Sequence, residues 1–319
     1  MIYMPKTLVE ATRYYSDEQV CIDTVAALRW PNGKPVCPKC GVEEGDRKHY
    51  WLKTQKRWKC YSCRKQFSVK VNSVFEDSAL GLDIWLIALW MLVNCKNGVS
   101  SHEIARETGI AQKNAWHLLH RLRYALQPKD GGKLGTDGGV IEVDESFIGG
   151  KARNMHTAKR KVAIQGRGAT GKTVVMGMLE RGGKVKTVVV SDRHKKTLQA
   201  EVRKHIAPGV EVMTDELLSY EGLSGDYTHN VINHAERYVD GIVHTNGMEN
   251  YWSLTKRALH GTYVSVEPFH LFRYLDEQAF RYNNRTDKTN ADRFSIALSQ
   301  IAGKRLQFKE LTGQVEGSF

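Results

Sequence analysis

Two pairs of cysteines constrain the fold of this chain more than any other feature of its sequence. They occur in Cys37-Pro-Lys-Cys40 and Cys60-Tyr-Ser-Cys63, with 19 residues between the pairs. Two CxxC pairs at this spacing are typical of a four-thiolate zinc site, in which a β-hairpin in the spacer brings two tight turns together. The alternative, four unconnected buried cysteines, is disfavoured by the spacing. We therefore expect a zinc ribbon over residues 31–75 whose structural Zn²⁺ supplies the folding energy of the module.

Composition indicates the class of partner. The 319 residues predict two or three domains at roughly 150 residues each. The hydrophobic content of 41% and the charged content of 26% are ordinary for a globular protein. The net charge of +12 and the pI of about 9.3 indicate a polyanionic partner. Nucleic acid is the first candidate, and an anionic membrane surface is the second.

Nothing in the sequence predicts a membrane segment or a secretion signal. The longest apolar run, Ile84–Val93, is shorter than the roughly 20 residues that span a bilayer. The N-terminus lacks the basic, apolar and small-residue regions of a signal peptide. We therefore expect a cytoplasmic protein with no membrane partner and with reduced cysteines.

The N-terminal half is predicted to carry a basic surface. Residues 1–30 have the apolar spacing of a short helical lead-in, and Arg47–Lys70 contains nine Lys or Arg and no acid. Aromatic residues are interleaved with these charges, and some of them must form the core of the ribbon. Because nine uncompensated charges repel one another, binding of phosphates would stabilise them. The candidate DNA-binding residues here are Lys53, Lys56 and Arg57.

Residues 76–127 are predicted to be helical throughout. Asp83–Val93 is apolar on nearly all sides, which indicates a buried helix. A Ser100 cap, a stop at Gly109 and a second amphipathic helix are typical of a helix-turn-helix, although an ordinary helical hairpin fits equally well. The exposed face of the second helix would carry four polar residues: Gln112, Lys113, Asn114 and Arg121. Lys113 is a further candidate DNA-binding residue.

The glycine-rich residues 128–139 are predicted to be a linker, and the strand Val140–Lys151 follows them. Apolar and polar residues alternate in this strand, which predicts that one of its faces is buried. A carboxylate such as Asp144 is costly in such a strand unless it is paired or holds a metal. The alternative is an ordinary surface acid on the solvated face.

The segment Gly166–Thr173 matches the P-loop pattern, but its context does not. A P-loop opens a helix, whereas β-branched runs follow Thr173 on both sides of Gly182-Gly183. We therefore expect a hairpin over residues 174–190 and no nucleotide cofactor.

The rest of the chain predicts an α/β fold. A helix over residues 195–206 precedes a short strand that ends at Asp215. Three strands, a helix, a further strand and further helices indicate an RNase H-like catalytic core, a mixed sheet flanked by helices, over residues 140–290. A later helix carries one polar stripe, which consists of Asn246, Glu249, Ser253 and Lys256. Residues 291–319 are treated as a C-terminal tail.

Taken together, these motifs resemble those of bacterial insertion-sequence DDE transposases of the ISXO-like kind, which carry an N-terminal zinc ribbon. The resemblance covers about Leu28 to Arg285 and includes the Asp144-Glu-Ser-Phe-Ile-Gly-Gly-Lys151 strand and the His244–Lys256 helix. It implies that Asp144, Asp215 and a third residue near Glu249 are catalytic, with Lys256 as the accompanying basic residue. It also implies a nucleoid-associated protein that assembles as a homo-oligomer on double-stranded DNA.

The chemistry of phosphodiester cleavage agrees with these residues. Two Mg²⁺ or Mn²⁺ ions could activate the attacking oxygen and stabilise the leaving one, held by Asp144, Asp215 and Glu249. Asn246 lies on the same stripe and is the other candidate for the third ligand, but charge favours Glu249. Lys256 would hold a phosphate, and Lys151 would contact DNA. The alternative function is a DNA-binding regulator whose transposase-like domain is inert.

Overall fold

A computed structural model of the chain describes residues 3–127, 132–149, 171–215, 218–232 and 244–313. The chain divides into two compact units. Unit 1 consists of Met1–Gln127 and Thr286–Phe319, and unit 2 of Pro128–Arg285. None of the helices in the described ranges has both the length and the apolar character needed to cross a membrane.

The helices are numbered along the chain. They are α1 Leu8–Tyr14, α2 Glu18–Arg29, α3 Leu82–Asn94, α4 Ser101–Thr108, α5 Gln112–Leu126, α6 Lys195–His205, α7 Asn246–Gly261, α8 Leu271–Asn283, α9 Asn290–Ser299 and α10 Phe308–Leu311. The strands are β1 Tyr50–Leu52, β2 Arg57–Lys59, β3 Gln66–Phe67, β4 Val140–Ile148, β5 Thr173–Glu180, β6 Val185–Val190, β7 Glu211–Asp215 and β8 Thr228–Ile232.

In unit 1 the C-terminal segment packs with the N-terminal helices. The rings of Tyr15 and Phe294 lie 5.8 Å apart, and Arg293 Nε donates to Asn94 Oδ1 at 3.0 Å. Lys304 Nζ donates to the carbonyl oxygen of Ala125 at 2.8 Å. Residues 291–319, treated above as a tail, therefore include part of the helical core of unit 1.

Helices α4 and α5 form the predicted pair of helices. Ser100 and Glu103 form a capping box at the start of α4, and Gly109 ends the helix at φ +70°. The prediction that Arg121 is on the exposed face is wrong. Its side chain is buried, lies 5.1 Å from the Trp85 ring and donates to the carbonyl oxygen of Glu76. A guanidinium can be buried in this way because it stacks on the indole while still donating hydrogen bonds.

Unit 2 is built on a mixed sheet in the order β6-β5-β4-β7-β8. Strands β4, β5 and β6 are antiparallel neighbours, whereas β7 runs parallel to β4 and β8 parallel to β7. The predicted hairpin over residues 174–190 is confirmed by the pairing of β5 with β6. Thr173 begins a strand, which is not the helix that a P-loop requires, and residues 166–170 lie outside the described ranges.

The prediction that β4 is only half buried is wrong, because helices cover both of its faces. Ile141 and Val143 lie in one core cluster with residues of α6. Ile148, on the opposite face, lies in a second cluster with residues of α7 and α8. Glu142 and Ser146 share this second face and are buried as well. Alternation of polar and apolar residues therefore does not mark a solvated face here.

The described part of the predicted linker is integrated into unit 2. Leu134 is buried in the cluster that includes α6 residues. Its amide donates to the carbonyl oxygen of His205 at 2.8 Å, and its carbonyl oxygen accepts from the amide of Ala207 at 2.9 Å. Residues 132–139 thus belong to the fold, and residues 128–131 lie outside the described ranges.

Candidate functional site

The sheet brings Asp144 and Asp215 together. Strands β4 and β7 are parallel, with Val140 opposite Glu211 and Glu142 opposite Met213. Continuing that register by two residues brings Asp144 level with Asp215, the last residue of β7. Because carboxyl ends of parallel strands share one edge of a sheet, both aspartates lie at the place where ligands bind in open α/β folds.

Asp144 is held in a fixed orientation. Its Oδ1 accepts a hydrogen bond from the amide of Glu145 at 2.8 Å, and its Oδ2 accepts one from Trp252 Nε1 at 3.1 Å. Gly177 on β5 pairs with Asp144 on β4, and a Cβ at position 177 would lie 2.7 Å from the Trp252 ring. Glycine at position 177 therefore leaves the space in which Trp252 reaches the carboxylate.

The electrostatics of the site favour a cation. Burial, together with the negative charges of Asp215 and Glu249, raises the pKa of Asp144 to about 6. Carboxylates that repel one another in this way are hard oxygen donors of the type that Mg²⁺ prefers. The three do not converge on one point: among the described residues, only four cysteines lie close enough to share a single ion.

Helix α7 has the predicted polar stripe. Asn246 is its first residue, and Asn246, Glu249, Ser253 and Lys256 are all exposed. The other sides of the helix carry buried side chains: Met248, Tyr251, Trp252, Ala258 and Leu259. The negative charge of Glu249 therefore acts on Asp144, while Asn246 and Lys256 remain accessible to solvent on the same helix.

Two site residues were missed by sequence reasoning. Glu145 lies on the opposite face of β4 from Asp144, and its carboxylate accepts a hydrogen bond from the Tyr220 hydroxyl. Burial, together with the negative charges of Asp215 and Asp144, raises the pKa of Glu145 to about 8. The consecutive acids Asp144-Glu145 were a visible signal, but no pattern in the sequence pointed to Tyr220.

The four predicted zinc ligands come together in unit 1. The Sγ atoms of Cys37, Cys40, Cys60 and Cys63 all lie within 4.8 Å of one another. The Sγ atoms of Cys37 and Cys63 are 3.7 Å apart, as are those of Cys40 and Cys60. Four thiolates around Zn²⁺ at about 2.3 Å would be about 3.8 Å apart in a regular tetrahedron. The thiolates therefore fit a closed structural zinc site.

The two halves of this centre share one backbone geometry. The amide of Gly41 donates to the carbonyl oxygen of Cys37 at 2.8 Å, and the amide of Arg64 donates to that of Cys60 at 3.1 Å. Gly41 and Arg64 occupy equivalent positions, with φ of +73° and +62°. The Val42 N–H lowers the pKa of Cys40 to about 7, which favours the thiolate that binds metal.

The predicted basic surface is smaller than the sequence suggested. Lys53 and Arg57 are exposed, but Lys56 Nζ lies 2.6 Å from Glu18 Oε2. Lys70 is turned inward, where its Nζ donates to the carbonyl oxygen of Leu80 at 2.6 Å and burial lowers its pKa. The prediction of nine uncompensated charges is therefore wrong for Lys56 and Lys70, because acid and carbonyl partners distant in sequence approach them.

The remaining two candidate DNA-binding residues are Lys113 and Lys151. Lys113 is exposed near the start of α5, and its Nζ lies 5.5 Å from the centre of the Phe308 ring. Lys151 lies outside the described residues.

Replacement of Cys60 by Ser should remove most of the bound zinc. Wild-type protein should contain about one zinc per chain, and Cys60→Ser much less, because a hydroxyl replaces one of the four thiolates. Metal analysis of the purified proteins measures this. The matched control is Cys95→Ser, which changes a partly exposed cysteine outside the cluster. Full zinc occupancy in Cys60→Ser would contradict the assignment.

Replacement of Glu145 by Gln should flatten the pH dependence of stability. The pKa of the Glu145 carboxyl is raised in the folded state. The stability that the protonated carboxyl contributes at low pH is therefore lost as the pH rises from about 4.5 to about 8. Gln stays neutral and keeps an oxygen that can accept from Tyr220. Urea denaturation without added Mg²⁺ at pH 5 and pH 8 should therefore show a smaller difference in Glu145→Gln than in wild type. Exposed Glu221→Gln is the control, and equal pH dependence in all three proteins would refute the expectation.

Comparisons with known proteins find similarity to transposase domains in two segments of the chain. Residues 137–283 match the family model described as ISXO2-like transposase domain. Residues 16–66 match the transposase zinc-ribbon domain, so that α2 is included in the ribbon match. An uncharacterized protein in transposable element ISH50 of Halobacterium salinarum is 26% identical over 258 residues. That alignment covers 77% of this chain and 84% of the relative. The chain therefore combines a segment that matches the transposase zinc-ribbon domain with a segment that matches the ISXO2-like transposase domain.

Proposed function

We propose that the chain is a DNA transposase that binds the ends of its insertion sequence, cleaves DNA strands and joins the 3′ ends to target DNA. One observation carries the proposal: Asp144 and Asp215 lie at neighbouring positions on parallel strands, and Glu249 adds its charge to theirs. These carboxylates are the donor set that two-metal phosphoryl transfer requires. The matches to transposase domains support the same reaction class.

The strand order supports an RNase H-like core in unit 2. Three successive antiparallel strands are followed, after a helix, by two parallel strands on the other side of the first. The first strand then lies at the centre of the sheet, with Asp144 on it and Asp215 at the end of its parallel neighbour. For unit 1 we propose a helix-turn-helix formed by α4 and α5, supported by the capped start of α4 and its left-handed stop at Gly109.

Each residue of the site has a defined task in this proposal. A pair of Mg²⁺ or Mn²⁺ ions, when bound, would activate the attacking oxygen and stabilise the leaving oxygen. Asp144, Asp215 and Glu249 would hold these ions through their carboxylate oxygens. Trp252 holds the Asp144 carboxylate in one orientation, and Lys256 offers a point charge for a phosphate oxygen. Water would be the first nucleophile, and hydrolysis of a phosphodiester bond would free a 3′-hydroxyl. That hydroxyl would then attack a phosphodiester of the target strand and displace the 3′-oxygen of that strand.

The third ligand is proposed to be Glu249, with Asn246 contacting the substrate or a water molecule. Two divalent ions carry four positive charges, of which two aspartates offset two. A third carboxylate binds Mg²⁺ more strongly than an amide oxygen, which is neutral. The charge of Glu249 also acts on Asp144 in the structure, where it is one cause of the raised pKa.

Replacement of Glu249 by Gln should abolish Mg²⁺-dependent strand cleavage, whereas Asn246→Ala should only weaken it. The substrate is a DNA fragment that carries the end of the element, and cleavage is followed on a denaturing gel. Both variants should retain the circular dichroism and DNA affinity of wild type. Glu267→Gln, which changes an exposed acid of the same unit, is the control for loss of charge.

The reverse ranking, with Asn246→Ala inactive and Glu249→Gln active, would make Asn246 the ligand. A wild-type protein that binds the element end but cleaves under no divalent cation condition would instead favour the alternative, a zinc-ribbon and helix-turn-helix regulator with an inert transposase-like domain. The proposed partner is double-stranded DNA, on which the protein assembles as a homo-oligomer, and nucleoid association follows from that partner.

DNA binding should depend strongly on salt through the ribbon. If unit 1 neutralises roughly six phosphates, the logarithm of the association constant for DNA should fall with the logarithm of the salt concentration at a slope near −5. The double variant Lys53→Ala/Arg57→Ala removes two exposed cations and should flatten that slope by about 1 to 2. Lys6→Ala, an exposed lysine outside the basic segment, is the matched control. An unchanged slope in the double variant would place the phosphate contacts elsewhere.

A further inference from the structure

The N-terminus of α7 is capped by a residue from a distant strand. The first amides of a helix have no partner within the helix, and the side chain of the N-cap residue usually accepts one of them. Here the N-cap Thr245 makes no such bond. The amide of Met248, in the first turn, donates instead to Glu142 Oε2 of β4 at 2.9 Å. The negative charge of a carboxylate at this end also interacts favourably with the positive end of the helix dipole.

Glu142 is itself fixed on its other side. Only 1% of its side chain is exposed, and its Oε1 accepts a hydrogen bond from Arg181 Nε at 2.8 Å. Arg181 Nη2 also donates to the carbonyl oxygen of His244 at 2.7 Å, just before the helix begins. Arg181 and Glu142 together therefore hold both the first turn of α7 and the residue that leads into it.

Gly247 sets how closely that turn can approach β4. A Cβ at this position would lie 2.7 Å from Glu142 Oε2 and 2.7 Å from Leu179 Cδ2. Real Cβ atoms do not approach other heavy atoms to that distance, so with a side chain at position 247 either the turn or the Glu142 and Leu179 side chains must move. Because Glu142 Oε2 is held by the Met248 amide and its Oε1 by Arg181, a shift of Glu142 would disturb the cap of α7 as well. At the other end of the same helix, a Cβ on Gly261 would meet nothing within 4 Å.

We infer that Glu142 and Gly247 are positioning residues that set the distance between the first turn of α7 and Asp144. Glu142 and Asp144 lie two residues apart on one face of β4, and Gly247 lies between Asn246 and Glu249 in sequence. Mg²⁺ requires near-ideal octahedral geometry at about 2.0–2.1 Å, so a displacement of a few tenths of an ångström in this turn weakens its binding. The inference rests on the proposed function, because it assigns these residues to the placement of the third ligand.

Metal binding tests the inference directly in the full-length, zinc-loaded protein. Binding of Mn²⁺ alone is followed by the electron paramagnetic resonance signal of the free ion. The relevant sites are those lost in Asp144→Asn. Glu142→Gln and Gly247→Ala should each weaken Mn²⁺ binding at these sites by about tenfold, the lower end of typical effects of residues that support metal ligands. Gly261→Ala should bind Mn²⁺ as wild type does.

Two further readouts separate positioning from loss of fold. Circular dichroism and metal-free DNA affinity should stay at the wild-type level in both variants, while the Mg²⁺ concentration for half-maximal cleavage rises. Gly247→Ala retains every hydrogen-bonding group and is decisive if Glu142→Gln fails to fold.

Wild-type Mn²⁺ affinity in folded Gly247→Ala would overturn the inference. Unfolding of Gly247→Ala while Gly261→Ala folds would also overturn it, because the turn would then serve the fold and not the ligand. Absence of any Mn²⁺ site that depends on Asp144 in wild type would instead refute the proposed function.

Discussion

The structure of unit 2 depends on burial of the acid-bearing face of β4 beneath α7. Burial of a carboxylate is unfavourable unless hydrogen bonds or opposite charges compensate for it. Glu142 is compensated by Arg181 and by the first turn of the helix. Asp144, two residues further, receives hydrogen bonds from Trp252 and from the amide of Glu145 but no cationic partner comparable to Arg181 among its described interactions. The same strand therefore carries one acid that stabilises the fold and one whose ionisation the fold opposes.

This difference connects the fold to the proposed chemistry. The acid whose pKa is raised lies at the edge where β7 ends, beside Asp215 and within reach of the charge of Glu249. A site that is electrostatically unfavourable without a cation is one in which a cation binds strongly. On the opposite face, Glu145 accepts a hydrogen bond from Tyr220 in the core packed on α6, and burial together with both aspartates raises its pKa to about 8.

Unit 1 obtains its stability differently. The ribbon has only three short strands, and the fit of its four thiolates to a zinc ion suggests that metal binding stabilises it in place of a large apolar core. Apolar packing is concentrated in α3, which the C-terminal helix α9 helps to cover. The outer surface of the ribbon is then available for cations such as Lys53 and Arg57, whose long side chains remain in solvent.

The sequence by itself determined the features that depend on local spacing. The CxxC pairs identified the metal-binding thiolates, glycines and β-branched runs identified the hairpin, and helical periodicity separated the exposed stripe of α7 from its buried anchors. Asp144 and Asp215 were recognisable because each acid interrupts or ends an apolar run. The family resemblance drew on the same local motifs, and the matches to the transposase domains confirmed it.

Only the tertiary structure decided which polar groups meet across the fold. Arg121 stacks on Trp85, Lys56 pairs with Glu18, and Leu134 packs with α6, although the residues of each contact are far apart in sequence. The alternation in β4 correctly separated its two faces but could not show that a helix covers the polar one. Helix α7 covers that face because Gly177 on β5 and Gly247 on the helix allow the helix and the sheet to approach closely. The sequence alone does not reveal which atoms will occupy the space beside a glycine.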